Sequence, residues 1–440
     1  MSEPLLPNLP DVPPPTPKPP DTEPPDTEPR YDMPNRAQVE LYPCDLEGLL
    51  PPGHGARLVW RFVEGLALKP FYDAIRAREG RPGRPPIDPR ILIALWLYAT
   101  IDGVGSAREV DRLCQQHDAY RWIRGGVSVN YHTLSDFRVE HQAALNDLLT
   151  QSIAALIKRS VITLARVAQD GTRVRASAGL RSFRRRPTLD EALRLARQQV
   201  ERTARQDDGA AVSRQAAAQT RAAAERLARV EEALAEMPAV EAAKARNHSK
   251  ATPRVSTTDP EARKMKMTDG GYRPAYNVQF ATDVDSRAIV GVAVTNVGSD
   301  QTELRPMLGQ IIERTGRAPT EELVDGGFVA LEAITDAAAQ GVTIYAPVPK
   351  PRGDRDPAAP CPGDSPAVVA WRARMATQEA KAIYKARAAT AEWVNADART
   401  HRTLGPLLVR GLENVQTWVL WIAVAHNMMR TMGIVPHQMM

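Results

Sequence analysis

The chain has 440 residues, 43% of them hydrophobic, enough for sizeable cores in roughly two to four domains of ordinary size. Lysine plus arginine number 57 against 52 for aspartate plus glutamate, and the resulting net charge of +5 permits a nucleic-acid partner without demanding one. Cys44, Cys114 and Cys361 are scattered and odd in number, which argues against a disulfide framework and a structural zinc cluster. No stretch reaches the roughly 20 apolar residues of a membrane span, and no secretory signal opens the chain. A cytoplasmic protein with no membrane partner is expected.

Residues 1–36 form a Pro-rich leader with a tandem PPDTE, and proline at that density predicts disorder. Residues 37–158 read as helical. Ile91, Ala94, Leu95 and Tyr98 keep helical spacing between Pro89 and Gly103, and Ser106 can cap a second helix. A further helix begins near Thr133 and carries Arg138, an expected DNA contact, and a long amphipathic one follows. Ahead of them lies the basic Gly/Pro-broken run with Arg78, Arg81 and Arg84, a texture similar to helix-turn-helix units that grip DNA phosphates.

Beyond residue 158 the texture changes. A β-branched run ends at Asp170-Gly171, and strand-like runs recur at 275–282, 288–295, 322–324 and 342–348, with helical patterns at 302–314 and 330–339. Strands followed by alternating helices predict an α/β or α+β core with a mixed sheet, and α+β is the class expected, spanning 159–432 and followed by a tail at 433–440. A helical insertion interrupts this core at 181–250, with an apolar stripe of Leu227, Val230, Leu234 and Met237. It reads equally as a spacer or as an arm contacting DNA or a second subunit. Residues 350–368 read as a loop, 376–400 as a polar helix and 414–431 as an apolar one.

Two divalent ions acting on a phosphodiester need hard oxygen ligands, and carboxylates from separate elements can supply them. Asp170 is expected to close the first strand, Asp325 to close a later one, and Glu392 to sit on a helix after the sheet. Each signal alone is weak, since Asp-Gly at a strand end is usually a turn. Lys264 and Lys266 precede the second strand as a basic track for DNA. Asp300, three residues before Glu303, is an N-cap candidate, and His426 and Asn427 read as satisfied polar groups in the core. No GxxxxGK[ST], HExxH or GxSxG motif is present.

Taken together the segments QDGTRVRASA, TTDPEARKMK running into DGGYRPAYNVQFATD, VTNVGSDQTEL, ELVDGGF and IYKARAATAEWVNADART resemble bacterial insertion-sequence DDE transposases. So do GRPPIDPRILIALWLYATIDGVGSAREVDRLCQQH and YHTLSDFR, and the resemblance covers roughly residues 75–180 and 250–432. It implies a ribonuclease H-like mixed sheet flanked by helices, behind an N-terminal all-helical DNA-binding domain. It implies Asp170, Asp325 and Glu392 as catalytic metal ligands for two Mg²⁺ ions, with Mn²⁺ able to substitute. Tyr384, Arg387 and Arg399 match a family pattern in which Tyr, Arg, Glu and Lys recur, with Arg399 at the lysine position, and are expected to contact DNA. The partners implied are double-stranded DNA, both terminal inverted repeats and target, with a homodimer on DNA, associated with the nucleoid when bound. The reaction implied is DNA cleavage followed by strand transfer. A metal nuclease without transposition and a DNA-binding regulator with an inactive core are the alternatives.

Overall fold

The computed structural model describes residue 37 and residues 45–75, 85–207, 214–350 and 355–432. The Pro-rich leader, Arg78, Arg81, Arg84, the Asp208-Gly209 break in the insertion and the 433–440 tail lie outside the described residues.

Among the described residues seven α-helices precede the sheet: α1 (Gly55–Glu64), α2 (Lys69–Asp73), α3 (Pro89–Ile101), α4 (Ala107–Gln116), α5 (Asp118–Arg124), α6 (Tyr131–Glu140) and α7 (Gln142–Lys158). Their starts are written in the sequence. Asp88 accepts from Arg90 N with Pro89 in the first turn, Ser106 accepts from Glu109 N, and Asn130 accepts from Thr133 N. Helix α3 buries every residue from Ile91 to Ile101, so its near-continuous apolar run marks a core helix. No helix among the described residues is long and apolar enough to cross a membrane.

The sheet is built from β1 (Arg166–Arg175), β4 (Arg263–Lys266), β5 (Tyr272–Asp283), β6 (Ile289–Thr295), β7 (Glu321–Leu323) and β8 (Thr343–Tyr345); a separate two-residue pair, β2 (Phe183–Arg184) and β3 (Val255–Ser256), closes the base of the insertion. β5 pairs antiparallel with β1 on one side and with β4 and β6 on the other. β7 runs parallel to β1, and β8 parallel to β7. Four strands in antiparallel pairing, continued by two parallel ones and flanked by helices, form a mixed α+β sheet consistent with a ribonuclease H-like core. β1 does not stop at Asp170, as its Asp-Gly pair suggested. It continues to Arg175, because Gly171 pairs with Gln279 of β5 rather than turning.

The insertion is two long helices, α8 (Arg186–Asp207) and α9 (Arg214–Arg246), packed along each other and tied by Arg186–Glu241 and Arg197–Glu231 ion pairs. Val230 and Met237 of the expected stripe are buried, and Met237 shares a small core with Leu189, Ala233, Val240 and Val255. An ion pair from Glu236 to Arg263 joins α9 to β4.

After the sheet's α10 (Leu304–Thr315) and α11 (Leu331–Ala339) come α12 (Pro366–Ala376), α13 (Gln378–Arg387), a π-helical turn over Ala388–Glu392, α14 (Trp393–His401) and α15 (Leu412–Met432). The single polar helix expected at 376–400 is therefore broken at Thr377, and α12 begins inside the expected loop, where Ser365 caps it and Pro366 opens it. The last helix, α15, is buried from Trp418 to Met428 and joins the N-terminal helices to β6 in one continuous core. Asn427 exchanges two 2.8 Å hydrogen bonds with the backbone of Ile289 and His426 pairs with Arg287 O, so these two polar groups on the apolar helix are satisfied.

Candidate active site

Three separate elements bring carboxylates to one point. Asp170 projects from the middle of β1, on the face opposite Gln169 and Gly171. Asp325 stands just past the end of β7, where its Oδ1 accepts from Gly327 N at 2.7 Å and fixes a tight turn. Glu392 ends the π-helical turn and is exposed. Such a turn admits one extra residue into the helix and re-aims the side chains beyond it, a device frequent at functional sites.

The guanidinium of Arg387 lies between them. Its Nη2 is 3.2 Å from Asp170 and 3.7 Å from Asp325, and its Nη1 is 3.5 Å from Glu392. Asp170 and Asp325 are thus no farther apart than these two contacts placed end to end. Asn395 donates to the other oxygen of Asp170 at 2.9 Å. Burial pushes the Asp170 carboxyl above its usual range, Arg387 opposes that shift, and the Asp325 charge adds to it. Tyr384 lies on the same wall, half-buried, and burial raises its phenol.

The reverse face of β1 is held by a buried polar knot. Asp300 accepts from Asn277 at 2.6 Å, from Gln279 at 2.7 Å and from Arg173 at 2.9 Å. It does not cap α10, because these three donors take both of its oxygens; α10 begins instead after Glu303 with no side-chain cap. Gly171 is required here, since a Cβ would stand 2.3 Å from Gln279 Nε2 and 2.5 Å from Asp300 Oδ1. Asp170 is therefore pinned from behind by its neighbour's missing side chain.

The expected DNA contacts divide. Lys264 and Lys266 are exposed on β4, and Arg399 is exposed on α14 with its Nη1 3.4 Å from Thr172 Oγ1. Arg387 turns inward to the carboxylates rather than outward, because they are the nearest charges to its buried head. Arg138 is a correction: it is only 6% exposed, sandwiched between the rings of Trp96 and Trp418 at 4.7 and 4.5 Å. It donates to Gly105 O, and burial lowers it to about 10, so it braces the core and does not face DNA. Sequence reading missed Asn395, although it shares a helical face with Glu392 and Arg399, three residues after one and four before the other.

Among the described residues no three carboxylates stand as a ready-made metal cage. The donor set nevertheless fits a hard divalent cation, since three carboxylates already converge on the positive charge of Arg387.

No curated protein and no solved structure matches the chain. Two families do. The one described as Transposase domain (DUF772) matches residues 44–140, over α1–α6, and the one described as Transposase DDE domain matches residues 366–432, which include Glu392 but neither Asp170 nor Asp325. Transposases act on DNA, and the DDE family generally uses a divalent metal. The two matches, one before the sheet and one after it along the chain, support a DDE transposase of the insertion-sequence kind.

Proposed function

We propose that the protein cuts DNA at the terminal inverted repeats of an insertion sequence and joins the freed ends to target DNA, with Asp170, Asp325 and Glu392 as its catalytic residues. The observation that carries this reading is the meeting of these three side chains, from a strand, a turn beyond a strand end and a helix, on a single cation. They would hold two Mg²⁺ ions, or Mn²⁺ in their place. When bound, such ions polarise the phosphoryl group and strengthen water and the 3′-hydroxyl as nucleophiles.

The chain's own side chains do the rest. Asn395 orients Asp170 through one oxygen, and the other, now facing Arg387, would turn to a metal ion. Arg387 neutralises the carboxylates while DNA is absent and offers its charge to the scissile phosphate when they are otherwise engaged. Arg399, steadied by Thr172, and the exposed Lys264 and Lys266 take neighbouring phosphates. Arg78, Arg81 and Arg84 are assigned to DNA on sequence alone. We assign a homodimer on DNA, acting in the cytoplasm at the nucleoid.

The test is incubation of the full chain with a duplex carrying its element's end. Mg²⁺-dependent nicking and products joined to target DNA are expected, and both should vanish in Asp170→Asn. Nicking without joined products would reduce the protein to a nuclease. DNA binding with no nicking in Mg²⁺ or Mn²⁺ would leave a regulator with an inactive core.

A further inference from the structure

We infer that Trp393, Arg287 and Arg430 form a second DNA-binding site, a phosphodiester cradle on the flank of the carboxylate cluster; this rests on the reading of the chain as a DNA-cutting enzyme. Helix α14 has two working faces. Glu392, Asn395 and Arg399 follow one, toward Asp170 and Thr172 of β1. Trp393 and Asp397, four residues apart, follow the next, toward α15 and the β5–β6 turn.

Trp393 immediately follows Glu392 and is 40% exposed, unusual for the largest side chain beside a site. The guanidinium of Arg287 lies 5.1 Å from its ring centroid and that of Arg430 5.0 Å. Two cations thus share one aromatic ring. Among the described residues neither has a carboxylate within ion-pair distance. Asp397, whose charge acts on Arg430, is engaged by Arg402 at 3.3 Å and by His426 at 3.7 Å. Burial and the charge of Arg287 lower Arg430, and the charge of Asp397 opposes them in part. Like charges held together with no carboxylate in ion-pair contact cost free energy that an anion would recover.

The site is built rather than incidental. Arg287 takes a left-handed backbone at φ 58°, uncommon for a side chain of its kind. Its carbonyl is fixed by a 2.8 Å hydrogen bond with His426 Nε2, and His426 packs edge-on to Trp393. The ring holds both guanidinium forks in place by cation–π attraction, and planar forks suit phosphate oxygens. A strand whose phosphate is attacked at Glu392 carries its next phosphates along this flank, at about 3.4 Å of helix axis per nucleotide.

The experiment measures binding of the full chain to a random-sequence duplex across a salt series, for wild type, Arg287→Asn with Arg430→Gln, and Arg287→Lys with Arg430→Lys. Asparagine accepts the left-handed backbone, so the first pair keeps the turn. Arg305→Gln is the control, an arginine already neutralised by Asp336. The slope of log affinity against log salt should become shallower by about 1.8 in the neutral pair, at about 0.9 per phosphate lost, and stay at the wild-type value in the lysine pair and the control. A wild-type slope in the neutral pair overturns this site alone. An equal loss in the lysine pair also overturns it, since charge would not then be the cause. Absence of salt-sensitive DNA binding by the wild type overturns both this site and the transposase reading.

Discussion

Nη2 of Arg387 stands 3.2 Å from Oδ1 of Asp170, and the same guanidinium reaches Asp325 and Glu392. Three carboxylates drawn together without a cation would repel one another across a partly desolvated site. Arg387 removes that penalty, and the acids can then stay assembled before any substrate arrives. Its own Nε is buried without a partner among the described residues, so the head is held by these charges alone.

Arg387→Met should expose the repulsion. Removing one partner of a buried ion pair costs about 3 kcal/mol, and here the loss falls on an assembly of acids. The variant should melt several degrees below wild type in EDTA and regain much of the difference in Mg²⁺, because a ligand that binds only the folded state stabilises it. Thermal melts with and without Mg²⁺ check this. Equal melting temperatures for the two proteins in EDTA would show that the guanidinium does not hold the acids together.

Asp170→Asn, Asp325→Asn and Glu392→Gln should separate binding from chemistry. Each keeps size and removes one anion from the carboxylate set. End cleavage should fall by orders of magnitude while gel-shift affinity holds or rises slightly, since phosphate repulsion falls. A turn-forming aspartate would behave otherwise, because asparagine fits the same turn and cleavage would survive. Near-normal cleavage by a folded Asp170→Asn protein would defeat the proposed roles.

Much of this site was legible in the sequence, and what escaped did so for definable reasons. Asp170, Asp325 and Glu392 could be singled out as candidates because the order of many segments tied them together, although the strand end read at Asp170 is not there. That β1 runs on through Gly171 was not legible. An Asp-Gly pair reads as a turn until the Gln279 and Asp300 side chains behind it are seen to leave no room for a Cβ. Arg138 looked like a DNA contact because it is a basic residue on a short helix; its burial depends on Trp96 and Trp418, the second of them 280 positions away. The break at Thr377 was hidden because a capping threonine and a proline-led helix interrupt an otherwise helical composition. Nothing local foretold that Arg387 faces inward.

Gly171→Ala tests the knot behind Asp170. The added methyl would meet Gln279 and Asp300 at distances that real Cβ atoms do not show, so the knot must shift. Overpacking of this kind costs about 1–3 kcal/mol. Because the same backbone carries Asp170, cleavage should fall further than the stability loss explains, at temperatures where the protein stays folded. Pairing it with Gln279→Ala removes one of the two clashing groups and should recover part of the stability. A Gly171→Ala protein with wild-type melting and wild-type cleavage would show that the reverse face has slack.

Glu322 supplies a test of the core by pH alone. It sits on β7, fully buried, with neither carboxylate oxygen hydrogen-bonded among the described residues. Burial pushes its carboxyl from 4.5 up to about 8. Below pH 4.5 the folded and unfolded chains both carry the proton, and the residue has no effect on the pH dependence. Between 4.5 and about 8 the unfolded chain has released it while the folded chain keeps it. The folded state then binds more protons, so stability falls as pH rises through that window, by about 3–5 kcal/mol in all, and levels off above it. Glu322→Gln has the shape of the protonated acid and no proton to lose. Urea-denaturation midpoints of the two proteins should agree near pH 4.5 and part steadily toward pH 8, with the glutamine variant the more stable. Every other titrating group is common to both, so the difference between the curves belongs to this one side chain. Parallel curves across the window would mean that the Glu322 carboxyl finds a proton-independent partner in solution, and that β7 is not sealed from water at its centre.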